Sequence, residues 1–412
     1  MILRARTVVT MDGPPIEDGA VRVRGERIIE VGKFSDLAGT DEIVDLGEHI
    51  LLPGLINAHC HLDYTCLRGK IPPPQSFADW IRAINAEKAR LSAEDYVVSI
   101  DQGFAEAKQF GTTTIANLTA FPELIAKIDE PIRAWWFAEL IDVRRPEQAN
   151  DLLRSTIKSL KAKKNWGVAP HAPFTASPNL YRRCEEVAQR NNAFLTTHLA
   201  ESREEMQMFR DASGPLYDFL KEVGRDIDDC GGTTPLQVFV RNLQPSRRDP
   251  SVRAGPAESL GMTQPWIVAH LNELTESDFD LLAKIPKVSI VHCPRSHSYF
   301  GHTDFQFARL HDLGFSICIG TDSLASNDDL SLFAEMRKFR DRFHFEPKKV
   351  LEMVTINSAR ALKQRDQLGR IRANFLADMI ALPFTKSPNI FETILNFVGK
   401  VPWIMLHGTI SP

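Results

Sequence analysis

Eight short apolar runs that alternate with helix-like stretches constrain the fold of this 412-residue chain more than any other feature. Short buried runs separated by helical periodicity are typical of parallel strands joined by helices. Eight such units predict an α/β fold, a closed (β/α)8 TIM-type barrel whose functional groups lie at the carboxyl ends of the strands. The predicted strands span residues 52–57, 112–117, 132–139, 166–170, 193–198, 266–270, 287–292 and 315–320.

Both ends of the chain show a different pattern from the middle. Residues 2–10 and 20–31 alternate apolar and polar positions, and the C-terminal tail returns to strand-like character. We expect the two ends to pair in a small β-sandwich domain of residues 1–53 and 368–412. The barrel, residues 54–367, would then be the catalytic domain.

Composition narrows the class of protein. The formal net charge is −4, which gives no reason to expect nucleic acid or an anionic membrane as a partner. No apolar run is long enough to span a membrane, and the N-terminus lacks the apolar core of a signal peptide. The six cysteines form no CxxC pair and are expected to be reduced thiols. These features predict a cytoplasmic protein with a small-molecule substrate.

Two histidines stand at the end of the first predicted strand. Side chains at i and i+2 of a strand point to the same face, so His59 and His61 would project together while Cys60 points away. Two neighbouring imidazoles make half of a metal site. The pair alone is equally compatible with two hydrogen-bonded histidines at a strand terminus.

Later strand ends supply further polar groups. His198, His270 and Asp322 follow the fifth, sixth and eighth apolar runs, at the edge of the barrel that carries function. Glu201 lies three residues after His198 and would share a face with it if a helical turn begins there. An acid stabilised by a helix N-terminus is the other interpretation of Glu201. Together these positions predict one functional site at the barrel mouth.

At this point the chain resembles the amidohydrolase superfamily, in the branch of mononuclear deaminases and chlorohydrolases. The resemblance extends over nearly the whole chain. It rests on the segments PGLINAHCH (53–61), HLAE (198–201), AH (269–270), HCPRS (292–296) and GTDS (320–323).

The resemblance implies a metal site of four ligands, which are His59, His61, His198 and Asp322. Three imidazoles and a carboxylate suit one divalent ion, and Zn2+ fits best, with Fe2+ or Mn2+ compatible. A catalytic metal of this kind makes hydroxide available as the nucleophile.

The resemblance also implies three catalytic residues. Glu201 would shuttle a proton from water to the substrate ring, and His270 would orient the reacting group. Asp322 would accept a second proton before ammonia leaves. Binuclear relatives carry a modified lysine at the end of strand four, where this chain has His171, so a single metal and deamination are expected.

Three residues are candidates for binding the substrate. His171 matches a substrate-contacting histidine of nucleoside deaminases, with a structural histidine as the alternative. Arg144, past strand three, would meet a carboxylate or a ribose hydroxyl, or it is an exposed loop residue. His297 stands where the family usually has asparagine, so it either alters substrate recognition or only restores a hydrogen bond.

The sequence therefore predicts a metal-dependent hydrolytic deaminase of an aminated N-heterocycle. Adenine nucleosides of the methylthioadenosine, S-adenosylhomocysteine or aminodeoxyfutalosine type are the first expectation. Guanine deaminase and triazine-type chlorohydrolase chemistry use the same site plan, and a catalytically idle barrel that binds a small molecule is the alternative from another class. A homodimer would be in keeping with the family. The excursion over 224–262 carries no predicted role.

Overall fold

Five strands precede the barrel. The computed structural model of the chain describes residues 1–37, 39–143, 145–244, 262 and 264–411. The first strands are Ile2–Val8 (β1), Ile16–Arg24 (β2), Arg27–Lys33 (β3), Ile43–Asp45 (β4) and His49–Pro53 (β5).

The barrel that the alternating pattern predicts is present, and its strands run parallel. Asp322 pairs with Cys60 of the first barrel strand, so the eighth strand, which is built of two segments, closes the circle. The barrel strands are Leu55–His61 (β6), Thr112–Thr119 (β7), Arg133–Leu140 (β8), Trp166–Pro170 (β9), Phe194–Leu199 (β10), Trp266–His270 (β11), Ser289–His292 (β12), Ser316–Ile319 (β13) and Asp322–Ser323 (β14).

Close packing brings the eighth strand against the first. Every residue of β6 and β7 is buried, as expected for strands covered on both faces. A Cβ added to Gly320 would lie 2.6 Å from the carbonyl oxygen of His59. Only glycine therefore allows the backbone of strand eight to approach the first histidine so closely.

Helices surround the barrel, and several begin at a serine or threonine whose side chain caps the first turn. None of the helices in the described ranges combines the length and apolar character needed to cross a membrane. The helices are Phe77–Lys88 (α1), Ala93–Gln109 (α2), Ala149–Leu160 (α3), Pro178–Asn191 (α4), Arg203–Asp211 (α5), Pro215–Glu222 (α6), Pro235–Leu243 (α7), Glu276–Leu282 (α8), Pro294–Phe300 (α9), Phe307–Asp312 (α10), Leu332–Phe343 (α11), Pro347–Met353 (α12), Ile356–Ala361 (α13) and Ile390–Leu395 (α14).

The two chain ends share one mixed sheet, as predicted. The last strands are Met379–Pro383 (β15), Trp403–Leu406 (β16) and Thr409–Ser411 (β17). Strand β5 pairs in parallel with β1 and antiparallel with β15, so it joins the N-terminal strands to the C-terminal ones. The domain boundaries stay a prediction. Residues 245–261 of the 224–262 excursion lie outside the described residues.

A buried ion pair connects the barrel to the terminal sheet. Arg133, at the start of β8, donates through Nε and Nη2 to the carboxylate of Asp378, which is 2% exposed. The same carboxylate accepts the backbone N–H of His407 at 2.8 Å. This carboxylate therefore joins the start of β8 to the turn between β16 and β17.

We predict that Asp378→Asn lowers the free energy of unfolding by about 3 kcal/mol, the lower end of the cost of breaking a buried ion pair, because Arg133 then keeps only the exposed Glu26 carboxylate at 3.7 Å. Urea unfolding measures the change. Asp151→Asn is the matched control, since it breaks an exposed pair with Arg154 and should cost less than about 1 kcal/mol. Equal losses in the two variants would contradict the prediction.

Candidate metal centre and substrate cavity

Four ligand atoms converge at the carboxyl ends of the barrel strands. The Nε2 atoms of His61 and His198 are 3.2 Å apart. Oδ1 of Asp322 lies 3.8 Å from Nε2 of His59 and 3.8 Å from Nε2 of His61. Three of the strands that the sequence identified therefore bring their polar ends to one point.

The residues present fit a bound cation. His59 is fully buried and neither of its ring nitrogens has a hydrogen-bond partner. Nδ1 of His198 lies 3.1 Å from the carbonyl oxygen of His171, so its N–H donates there and Nε2 presents a lone pair. A cation between this nitrogen and Nε2 of His61, 3.2 Å away, would be bound by both imidazoles. The donor set suits a divalent ion such as zinc.

Burial keeps these histidines uncharged. It lowers the pKa of His59 and of His198 to about 3, and it lowers the pKa of His61 well below its ordinary value. A metal binds the neutral imidazole, so the protein holds the rings in the form that a ligand requires.

Two serines fix the carboxylate of Asp322. Ser296 donates to Oδ2 at 2.6 Å, and Ser326 donates to the same oxygen at 3.5 Å. The backbone of Asp322 has a positive φ of 57°, an uncommon conformation for a residue with a side chain. Oδ1 is thereby left facing the histidines.

Glu201 and His270 lie beside the metal ligands. Oε2 of Glu201 is 3.6 Å from Nε2 of His270. Helix α5 begins at Arg203 with Ser202 as its N-cap, so Glu201 precedes the helix. Burial, with the nearby charge of Asp322, raises the pKa of Glu201 well above its ordinary value. A carboxyl group that retains a proton beside a metal centre is suited to proton transfer.

A cavity of about 650 Å3 opens above this cluster, a volume typical of small-molecule sites. Phe77, Trp80 and Ile81 are among its apolar lining residues. The cluster at its floor contributes His61, His198, Glu201, His270 and Asp322.

The three predicted substrate contacts have different outcomes. His171 lines the cavity, and its Nδ1 is 2.6 Å from the hydroxyl of Thr175. His297 is turned away, because its Nε2 is 2.7 Å from the carbonyl oxygen of Thr303, and it is absent from the cavity lining in the described part of the chain. Arg144 lies outside the described residues. The substrate contacts themselves stay predictions.

Sequence reasoning missed Glu139, at the end of β8. Its side chain is 7% exposed, lines the cavity, and lies 3.9 Å from Nδ1 of His61 and 4.0 Å from Nε2 of His171. Its Oε1 has no hydrogen-bond partner, and burial raises its pKa. The strand-end rule that selected the histidines would have selected Glu139 too, since it ends the third predicted run.

Residues 50–405 match the amidohydrolase family, and the chain belongs to it. The chain is also 29% identical to 5-methylthioadenosine/S-adenosylhomocysteine deaminase of Nitratidesulfovibrio vulgaris (strain Hildenborough). That similarity covers 96% of this chain and 86% of the relative.

Solved structures share the fold. Aminofutalosine deaminase of Helicobacter pylori, in complex with methylthio-coformycin, superposes with a TM-score of 0.84 at 20% identity, covering 100% of both chains. Atrazine chlorohydrolase of Arthrobacter aurescens TC1, complexed with zinc, superposes with a TM-score of 0.79 at 18% identity. The second comparison covers 99% of this chain and 94% of the chlorohydrolase.

One supporting carboxyl group leads to a pH-dependent prediction. Glu205 is fully buried, accepts the backbone N–H of Glu201 at 2.7 Å, and has a pKa raised by burial from 4.5 to about 8. Between these values the unfolded chain has released the proton that the folded chain retains, so the free energy of unfolding falls as pH rises.

Glu205→Gln removes this contribution. We predict that the free energy of unfolding of the variant falls less between about pH 5 and about pH 8 than that of the wild-type protein. Urea unfolding of metal-free protein at the two pH values measures it. Glu123→Gln, at an exposed position, is the control and should leave the pH dependence as it is. An unchanged pH dependence in Glu205→Gln would show that this carboxyl is already ionised in the folded protein.

Proposed function

We propose that this chain is a metal-dependent hydrolase that removes an amino group from an N-heterocycle and releases ammonia. The substrates that we propose first are adenine-containing nucleosides of the methylthioadenosine, S-adenosylhomocysteine or aminodeoxyfutalosine type. The observation that carries the proposal is the convergence of three imidazoles and Asp322 beside Glu201 and His270, at the floor of a cavity of about 650 Å3.

His59, His61, His198 and Asp322 would hold one divalent ion. Zinc is the ion that we propose, and Fe2+ or Mn2+ is compatible with the same donors. When bound, such an ion polarises water and lowers its pKa toward neutrality. A single ion is proposed because strand four ends in His171, where binuclear family members carry a lysine.

Glu201 is the proton carrier in this proposal. A pKa raised by burial suits a carboxyl group that takes a proton from water and passes it to the ring nitrogen beside the reacting carbon. His270, 3.6 Å away, orients the oxygen that adds to that carbon. Asp322, whose Oδ2 is held by Ser296, would accept a second proton before ammonia leaves.

The names of the similar proteins support the choice of substrate. A curated relative is a deaminase of methylthioadenosine and S-adenosylhomocysteine, and a structural neighbour is an aminofutalosine deaminase. The three compounds in these names all contain adenine. The chlorohydrolase neighbour has a similar fold, so dehalogenation of a triazine is the reaction that the experiment has to separate from deamination.

An ammonia-release screen over adenine, guanine, cytosine and pterin derivatives tests the proposal directly. We expect release from at least one adenine nucleoside. Chloride release from a chlorotriazine without ammonia release would favour the chlorohydrolase reaction. Release of neither ammonia nor chloride from any of these compounds would favour a protein that binds a small molecule without converting it.

We predict that purified protein contains roughly one divalent ion per chain, and that His198→Ala loses it, because the remaining donors form an incomplete set. Elemental analysis after dialysis measures the content. The control is His311→Ala, which removes an imidazole that is 54% exposed on the surface. Two ions per chain in the wild type, or a metal-replete His198→Ala protein, would contradict the prediction.

We predict that Glu201→Gln keeps the metal but lowers kcat by about 100- to 10,000-fold, the usual contribution of a general acid–base group. The amide is nearly the same size but cannot carry the proton. Metal content and ammonia release are measured on the same sample, with the surface variant Glu186→Gln as control. Retained turnover would remove Glu201 from the mechanism.

A further inference from the structure

Helix α1 forms one wall of the cavity and changes character along its length. Six of its residues line the cavity at spacings of three or four, so they share one face of the helix. The first four are apolar and the last two are polar. In order they are Phe77, Trp80, Ile81, Ile84, Asn85 and Lys88.

Lys88 places a cation in this wall. Its Nζ donates to the phenol oxygen of Tyr64 at 2.9 Å and lies 4.8 Å from the centre of that ring. Within the described residues no carboxylate lies within 4.0 Å of the ammonium group. An ammonium group has three donors, so two remain for a ligand in the cavity.

A basic residue at the end of a helix has a simpler explanation, since it stabilises the helix dipole. The hydroxyl of Tyr96 already donates to the Lys88 carbonyl oxygen at 3.2 Å. The side chain of Lys88 is turned into the cavity, away from the helix end. Arg90 shows the contrast, because it is exposed and paired with Glu87 at 2.7 Å.

The carboxylates nearest to Lys88 do not neutralise it by contact. Burial raises the pKa of both Asp63 and Glu139, and the positive charge of Lys88 opposes that rise in each. Oδ2 of Asp63 accepts instead from Thr119 and from the backbone of Ala120. The ammonium group therefore faces the cavity with its charge uncompensated at close range.

The position of Lys88 determines which part of a substrate it can reach. The Tyr64 ring lies between the ammonium group and the metal centre, stacked on His61 with the ring centres 5.9 Å apart. Lys88 is thus one aromatic ring away from His61 of the candidate metal centre. A second cation, Arg145, lines the same cavity and forms no ion pair in the described part of the chain.

We propose that Lys88 binds an anionic group, a carboxylate or a phosphate, on the part of the substrate that lies away from the reacting carbon. The substrate would then be an aminated N-heterocycle with an acidic substituent. This inference rests on the proposed function and selects, among its substrates, those with a negative charge.

Two compounds of nearly equal shape test it: adenosine 5′-carboxylic acid and adenosine 5′-carboxamide. We expect metal-loaded full-length protein to have a kcat/KM roughly tenfold to a hundredfold higher for the acid, the range for a hydrogen bond to a charged group. Adenosine 5′-monophosphate tests whether phosphate serves as well as carboxylate. High salt should weaken the preference.

Lys88→Met should reduce kcat/KM for the acid to the value for the amide measured on the same variant, so that the preference for the acid is lost. Lys88→Arg should retain most of the preference, because it keeps the charge. Arg90→Met is the matched control, since it removes a positive charge near the same helix end at a position outside the cavity lining. It should leave both values unchanged.

Calorimetric binding of the same pair to metal-loaded Glu201→Gln protein separates the two hypotheses. If the wild-type protein releases no ammonia but the Glu201→Gln protein binds the acid more tightly than the amide, the proposed function is contradicted and the role of Lys88 is supported. Equal affinity for acid and amide, or a preference for the acid that persists in Lys88→Met, would overturn the inference whatever the activity.

Discussion

The rest of the site depends on the convergence of uncharged, buried imidazole nitrogens at one end of the barrel. A buried polar atom without a partner costs about 1–3 kcal/mol, and His59 alone has two of them. The fold tolerates this cost because the barrel closes tightly around the rings, with Gly320 bringing strand eight against His59. A cation at the centre satisfies several of these atoms at once.

Backbone strain occurs at the same edge of the barrel. Ala200, His270, Leu271 and Asp322 all have positive φ, which residues other than glycine rarely adopt. Two of them, His270 and Asp322, line the cavity. Hydrogen bonds from neighbouring loops hold these turns, such as the one from the Asn272 amide to the Glu201 carbonyl oxygen at 3.0 Å. The surrounding core therefore supports a geometry that the loops alone would not keep.

The fold and the floor of the cavity were largely predictable. Strand positions follow from apolar periodicity, and histidine or aspartate at a strand end is an uncommon combination with a recognisable chemistry. Glu139 obeys the same rule but was missed, because a lone glutamate at a strand end is ordinary until its missing partner is seen in three dimensions. His297 shows the opposite case: the sequence selected it as a substrate contact, but α9 directs its ring to the carbonyl oxygen of Thr303.

The walls of the cavity could not be predicted in this way, because helix packing decides which side chains they expose. Lys88 and Trp80 lie far in sequence from most of the floor residues. Glu204, three residues after Glu201, is one connection between the two parts. Its carboxylate accepts the backbone N–H groups of Phe77 and Ala78 at 2.8 and 3.0 Å. The first turn of α1 is thus fixed to the segment that carries Glu201, the proposed proton carrier. The helix that carries Lys88 and the segment that carries Glu201 are therefore held in a fixed relation to each other. A substrate bound along α1 would reach Glu201 without a rearrangement of that wall.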